Sequence, residues 1–426
     1  MTLTEDKKSM GRVWLVFIPL MLFYASSYFQ RTAIPGTTFS LFQQDYGFSA
    51  AQIANLTASF VYVYSFFQLV VGMLADKYSG IRIVTIAGAI FCLGVIAFPF
   101  CGANAPLLYA CRFLMGLGAS SLYLSLVKEA DRLFGRKNYA VIIGIIYFVG
   151  YSGGLFGTLP FGALCRRFNW ITLLHWVSAI TFCLYLFFLA VKRNVPAAPI
   201  SPARLSLKPL LKIMKMPYSW MLVFASSTMF TFNAVSNMVF GKKFLLDTAG
   251  LSEGAAEAII CGQTLVGMFA LLSGGITTRL TKNKRKPLIV ITPAITLATT
   301  IMMICTIKFQ LPAFFYAAGM ILFALAAGLA VVYPMAIQEF NSRDSMTLAA
   351  GFNNNCNYLG IAIFSPLAGL LLDHFKVPGM HNYPVEAYLW LYSLALIPAV
   401  AAFVVACFIP ETGGHFLHKS YQDAKK

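Results

Sequence analysis

Two arginines stand inside long apolar runs, Arg31 in "SSYFQRTAIPG" and Arg112 in "CRFLMGLGASS". A charge in such a run is costly and is usually kept for function. A guanidinium is a planar fork that grips a carboxylate or phosphate through two hydrogen bonds. Polar residues recur with helical spacing around these charges. Tyr24, Ser27 and Arg31 fall at i, i+3 and i+7, on one helical face. Ser226, Asn233 and Asn237 share another, Tyr147 and Tyr151 stand at i and i+4, and so do Tyr64 and Gln68. In "NNNCN", Asn353 aligns with Asn357 and Asn354 with Tyr358. Together they could hold an anion at the arginines and orient its polar remainder with amides and hydroxyls.

Each residue also has a plainer role open to it. Arg31 could snorkel to a membrane surface, Arg112 could bond backbone carbonyls, and a single Asn could join two helices. Lys242 and Lys243 end an apolar run and are expected to snorkel; His175 is expected at an interface. Glu129, Glu339 and Glu386 fall at the ends of runs and Glu257 near an edge, so no acid is expected deep inside one.

The elements that must position these groups are membrane helices. The chain has 426 residues, 59% of them hydrophobic and only 11% charged, against about 25% charged in a soluble protein. Twelve apolar runs approach or exceed the roughly 20 residues a spanning helix needs: 12–40, 50–72, 83–102, 106–128, 139–161, 171–191, 218–240, 256–279, 287–307, 312–338, 346–372 and 386–409. They are too long and continuous for the short alternating strands of a β-barrel. A proline-rich basic stretch, 192–217, divides them six and six. The expected organisation is a bundle over 1–191, a cytoplasmic linker over 192–217, a second bundle over 218–409 and a cytoplasmic tail over 410–426. Trp14 and Trp220 open the two halves alike, and aligning them sets Ser27 against Asn233 and Arg31 against Asn237. Duplicated six-helix units are a recurring transporter plan.

The net charge of +17 does not point to nucleic acid, because the Lys and Arg crowd into alternate loops. That asymmetry puts both termini in the cytoplasm of a bacterial inner membrane. The nine cysteines show no CxxC and no metal-ligand cluster, so they read as small membrane hydrophobes. No GxxxxGK[ST] stretch is present, so no ATP-binding loop drives transport.

"GMLADKYSGIR", Gly72 to Arg82, resembles the major facilitator superfamily signature Gly-x-x-x-Asp-Arg/Lys-x-Gly-x-Arg/Lys, with Ser79 where the pattern has Gly and Gly80 one position late. "RFLMGLG", from Arg112, resembles the family's Arg-x-x-x-Gly-x-Gly element, whose glycines permit close packing. The resemblance implies an all-α membrane fold of 12 transmembrane helices in two six-helix bundles, and alternating access, with Gly72, Asp76 and Arg82 controlling a gate. The fifth run lacks the Gly-Pro pair of the family's drug antiporters. "YFQRTA" is similar in placement to the helix 1 arginine of the organic-anion and organophosphate branches. Gln30 stands where the anion:proton symporters have an acid, and Asn237 where the phosphate exchangers have a second arginine.

The expectation is therefore a secondary transporter of a small organic anion, a carboxylate or amino acid, acting as a monomer with no cofactor or metal. Its substrate contacts would be Arg31, Tyr24, Ser27, Arg112, Tyr147, Tyr151, Asn233, Asn237, Asn353, Asn354 and Asn357. A coupling ion, proton or sodium, stays open. The alternatives are an efflux pump for drugs or metallophores and a transporter-like sensor. An enzyme is disfavoured, because no acid pair or His cluster lies in the runs.

Overall fold

The computed structural model describes residues 3–195, 208–274, 277, 280–341, 346–415 and 417. Within that range the side chains at 3–9, 69, 72, 73, 75–77, 136–140, 208, 209, 346, 347 and 350 lie outside the description. The described residues are helices and connecting turns, with no strand. Among the described residues, ten helices are long and apolar enough to cross a membrane: α1 Met10–Thr37, α3 Gly80–Phe100, α4 Ala105–Gly135, α5 Val141–Cys165, α6 Trp170–Asn194, α8 Glu253–Leu272, α9 Lys286–Lys308, α10 Ala313–Phe340, α11 Gly351–His374 and α12 Val385–Phe408. Two further long helices are α2 Ala50–Lys77 and α7 Pro217–Met238.

Local chemistry sets the boundaries. Ser79, Asn104, Asn169 and Ser252 cap the starts of α3, α4, α6 and α8, each side chain accepting a backbone N–H of the first turn. Gly135, at φ 72° and ψ 166°, occupies a backbone region closed to side chains and separates α4 from α5. The regular part of α1 ends at Thr32, and Ile34, with φ −120° and ψ 115°, is extended because proline disfavours helix in the residue before it. The described part of 192–217, the expected linker, contains a short helix, Lys208–Met214.

The chain forms two compact units: Met1–Ala33 with Ser59–Leu205, and Ile34–Ala58 with Ser206–Lys426. Helix pairing recurs in both. In the first unit α1 packs on α5, α3 on α4 and α3 on α6; in the second α7 packs on α11, α9 on α10 and α9 on α12. Close backbone approach is what glycine permits here. A Cβ on Gly153 of α5 would lie 2.0 Å from the Ala25 carbonyl oxygen of α1, and one on Gly116 of α4 would lie 2.3 Å from that of Phe60 in α2.

Candidate functional site

In the first unit, Gly116 brings α2 against α4 at Phe60, and two cations gather there. Arg31, only 2% exposed, lies in the last turn of the regular part of α1. Its guanidinium carbon lies 4.2 Å from the Tyr64 ring centroid, 4.8 Å from that of Tyr28 and 5.3 Å from that of Phe60. Arg112, 1% exposed, lies 4.7 Å from the same Phe60 ring, and its Nη1 donates to the Gln30 carbonyl at 2.9 Å. Ring faces carry negative potential, so this aromatic cage tolerates the buried positive charge. Arg31 is thus covered by protein, which excludes snorkelling. The expected carbonyl bond of Arg112 is present, directed at the residue beside Arg31. The Gln30 side-chain oxygen is buried and has no hydrogen-bond partner.

The tyrosines expected with Arg31 surround this cage. Tyr24 donates to the Tyr28 hydroxyl at 3.3 Å, the Tyr28 and Tyr151 rings lie 5.2 Å apart, and the Tyr147 and Tyr123 hydroxyls meet at 2.6 Å. Gln68 donates to the Tyr64 hydroxyl at 2.9 Å. Ser27 is fully buried and its hydroxyl donates to the Tyr24 carbonyl of its own helix. That bond occupies the proton Ser27 would offer a ligand.

The second unit holds amides. Gln263 of α8, which sequence reasoning passed over, is their hub: its Nε2 donates to Asn233 Oδ1 at 3.0 Å and to Ser236 Oγ at 2.8 Å. Asn237 donates to Thr264 Oγ1 at 3.0 Å, and Asn357 accepts from Ser226 and Ser227 at 3.2 and 3.0 Å. The buried side-chain oxygen of Asn353 has no hydrogen-bond partner, and Asn354 is half-buried nearby in sequence. A lone Gln in an apolar helix carried no spacing signal; only its neighbours in space identify it.

One expectation about charge is corrected. Lys242 and Lys243 do not snorkel: both are buried among acids. Lys242 Nζ lies 2.8 Å from Glu257 and 3.4 Å from Glu253, and it donates to the Thr37 carbonyl; Lys243 Nζ lies 2.8 Å from Asp247. Glu257, near the start of α8 as the sequence suggested, is covered by protein and 1% exposed. The seventh helix bends at Val239 into the short helix Gly241–Ala249, which turns both lysines inward.

At the expected gate, the side chains of Gly72 and Asp76 lie outside the described residues, and Arg82 is exposed. The displaced glycine of the signature has a structural reason. Ser79 caps α3, accepting from the Arg82 N–H at 3.2 Å, while Gly80 is the close contact, since a Cβ there would lie 2.7 Å from the Ser125 carbonyl oxygen. Glu129, 1% exposed, accepts the Ile81 N–H at 3.3 Å and the Arg132 Nε–H at 2.6 Å. The second unit has a counterpart: Glu339 pairs with Arg285 at 2.9 Å and accepts the Thr412 hydroxyl, and Glu411 accepts the N–H groups of Arg285 and Lys286 at 2.7 and 2.9 Å.

Comparison with known proteins agrees with this architecture. Solved structures with the same fold include the nucleoside transporter NupG (15% identity, TM-score 0.72, covering 92% of this chain and 98% of that one). A D-xylose-proton symporter (15%, TM-score 0.73, 94% and 99%) and a bacterial homologue of the human lysosomal transporter Spinster (18%, TM-score 0.72, 95% and 96%) are similar. Over 105 residues, 24% of the chain, it is 28% identical to "Probable anion transporter 2, chloroplastic" of Oryza sativa subsp. japonica. The match spans 20% of that relative's length. The Major Facilitator Superfamily model matches residues 20–365. The chain is a multi-pass membrane transporter and belongs to the Major Facilitator Superfamily.

Proposed function

We propose that this transporter moves a small organic anion, a carboxylate or amino acid, by alternating access, with Arg31 as the anion anchor. One observation carries the reading: two buried guanidiniums lie over a single phenyl ring, Phe60. Like charges this close repel, and removing each from water is costly. A bound anion offsets both penalties, and a carboxylate fits the planar fork of Arg31. The name of the rice relative, an anion transporter, supports the same class.

In this reading Arg112 positions Arg31 through the Gln30 backbone and adds positive potential. Tyr24, Tyr147 and Tyr151 shape the aromatic wall of the cage. The unpartnered oxygen of Asn353 accepts a hydrogen bond from a hydroxyl or ammonium group of the substrate, and Asn233, Asn237, Asn354 and Asn357 orient its polar remainder. Asp76 and Arg82 control the gate, aided by Glu129. Charge asymmetry favours a bacterial inner membrane with cytoplasmic termini. Gln30 in place of an acid leaves the coupling ion, proton or sodium, to experiment. An apolar pocket in the second unit, lined by Phe232, Phe240, Phe244, Phe323 and Tyr392, favours a second reading, export of amphipathic drugs or metallophores.

The experiment is a thermal-shift screen against organic acids, amino acids, sugar phosphates and drugs, followed by uptake into proteoliposomes. An organic acid should stabilise the protein and be taken up, and Arg31→Ala should strongly weaken both effects. Normal uptake by that variant would refute the anchor. Stabilisation by drugs alone would favour export.

A further inference from the structure

The apolar runs hide a pair of thiols that spacing did not mark. Cys101 follows α3, and Cys111 lies in the second turn of α4. Their Sγ atoms are 3.6 Å apart. Both are free thiols, Cys101 half-buried and Cys111 6% exposed. Cys101 Sγ also donates to the Ala97 carbonyl at 3.4 Å. The backbone around them is tightly held: Asn104 caps α4, and a Cβ on Gly94 of α3 would lie 2.7 Å from the Cys111 carbonyl oxygen. A disulfide places its sulfurs about 2.05 Å apart, so closure needs an approach of about 1.5 Å.

We propose that Cys101 and Cys111 form a redox-active dithiol that closes to an intramolecular disulfide and clamps the turn between α3 and α4. The turn lies at the end of α3 opposite Arg82, which the charge asymmetry places on the outer, oxidising side. The oxidant is a small-molecule disulfide. Cys101, the more accessible thiol, loses its proton and its sulfur attacks one sulfur of the oxidant, releasing a thiolate. The Cys111 thiolate then attacks Cys101 Sγ and releases the second. One S–S bond replaces two S–H bonds, the oxidant leaves as two thiolates, and these take up the two protons. The clamp lies next to Arg112, the residue after Cys111, which bonds the Gln30 carbonyl.

The full chain in detergent, treated with oxidised glutathione, unfolded with N-ethylmaleimide and digested with trypsin, tests this. No Lys or Arg lies between Arg82 and Arg112, so one fragment, 83–112, carries Cys92, Cys101 and Cys111. After reduction it should take three maleimides; after oxidation, one, with a mass loss of about 2 Da before labelling. The thermal midpoint should rise by several degrees on oxidation, because a closed loop restricts the unfolded chain. Cys101→Ser and Cys111→Ser should each remove the mass loss and the rise. Three maleimides after oxidation, a stable glutathione adduct at Cys101, or a bond to Cys92 would overturn the proposal. An unchanged midpoint in the oxidised protein would overturn the clamp.

Discussion

The two units bury polar groups in different ways. In the first, Arg31 and Arg112 are buried cations held against aromatic rings. In the second, Gln263, Asn233, Asn237 and Asn357 are amides that hydrogen-bond neighbouring amides and hydroxyls. An amide carries donors and an acceptor and can be satisfied by another amide. A guanidinium carries donors only. In the proposed function the two arginines of the first unit serve a bound anion, whereas the amides of the second unit, and its buried Lys242 and Lys243 beside Glu257 and Asp247, are matched by groups of that same unit. The helix pairing is shared, so side-chain chemistry rather than backbone plan makes the difference.

The sharpest test of this contrast is removal of the charge. Arg31→Ala should lower uptake of the organic anion at subsaturating concentration by roughly 10- to 100-fold, the worth of one charge-assisted hydrogen bond or slightly more. Arg31→Lys should recover part of it, because a point charge remains without the fork. Equal uptake by all three proteins would break the comparison. Next is Gly116→Ala. Its Cβ would strike the Phe60 carbonyl, so α2 must move and the ring shared by both cations moves with it. A loss of about 1–3 kcal/mol in stability is expected, with a fall in uptake exceeding what reduced folding explains.

Gln263→Leu probes the amide unit. It leaves the Asn233 and Ser236 groups short of a donor, for about 1–3 kcal/mol of stability by denaturant melt. Uptake per folded molecule should fall much less than for Arg31→Ala; a larger fall would reverse the assignment of the anchor. The smallest effect is expected at Glu411. Burial alone would raise its carboxyl, but the N–H groups of Arg285, Gly413, Lys286 and Thr412 outweigh it and hold the carboxyl below its usual range. A depressed folded value means that this stabilisation is present above the ordinary glutamate pKa of about 4.3 and is lost as pH falls through the lower folded value. Glu411→Gln should lower the melting midpoint slightly at neutral pH, water screening the partly exposed carboxylate, and the gap to the parent should narrow in acid melts.

Residue types and their spacing already declared much of this. Composition demanded lipid, run lengths marked the helices, and the positions of Arg31 and Arg112 in apolar runs marked them as exceptional. The glycines of "RFLMGLG" announced a close helix contact, and Gly116 makes it. These are legible because hydrophobicity, charge and the space a side chain leaves are properties of the residue itself. Partners are not. That Ser27 turns to its own backbone, that Gln263 gathers three polar neighbours, that Gly80 rather than Ser79 makes the tight contact, and that Lys242 and Lys243 face acids all depend on which helices meet and at what rotation. Those choices rest on packing between residues far apart in the chain. The sequence alone therefore determined that two arginines stand within apolar runs, and the tertiary structure decided that both are buried and share one aromatic ring, because only packed helices bring Phe60 to both.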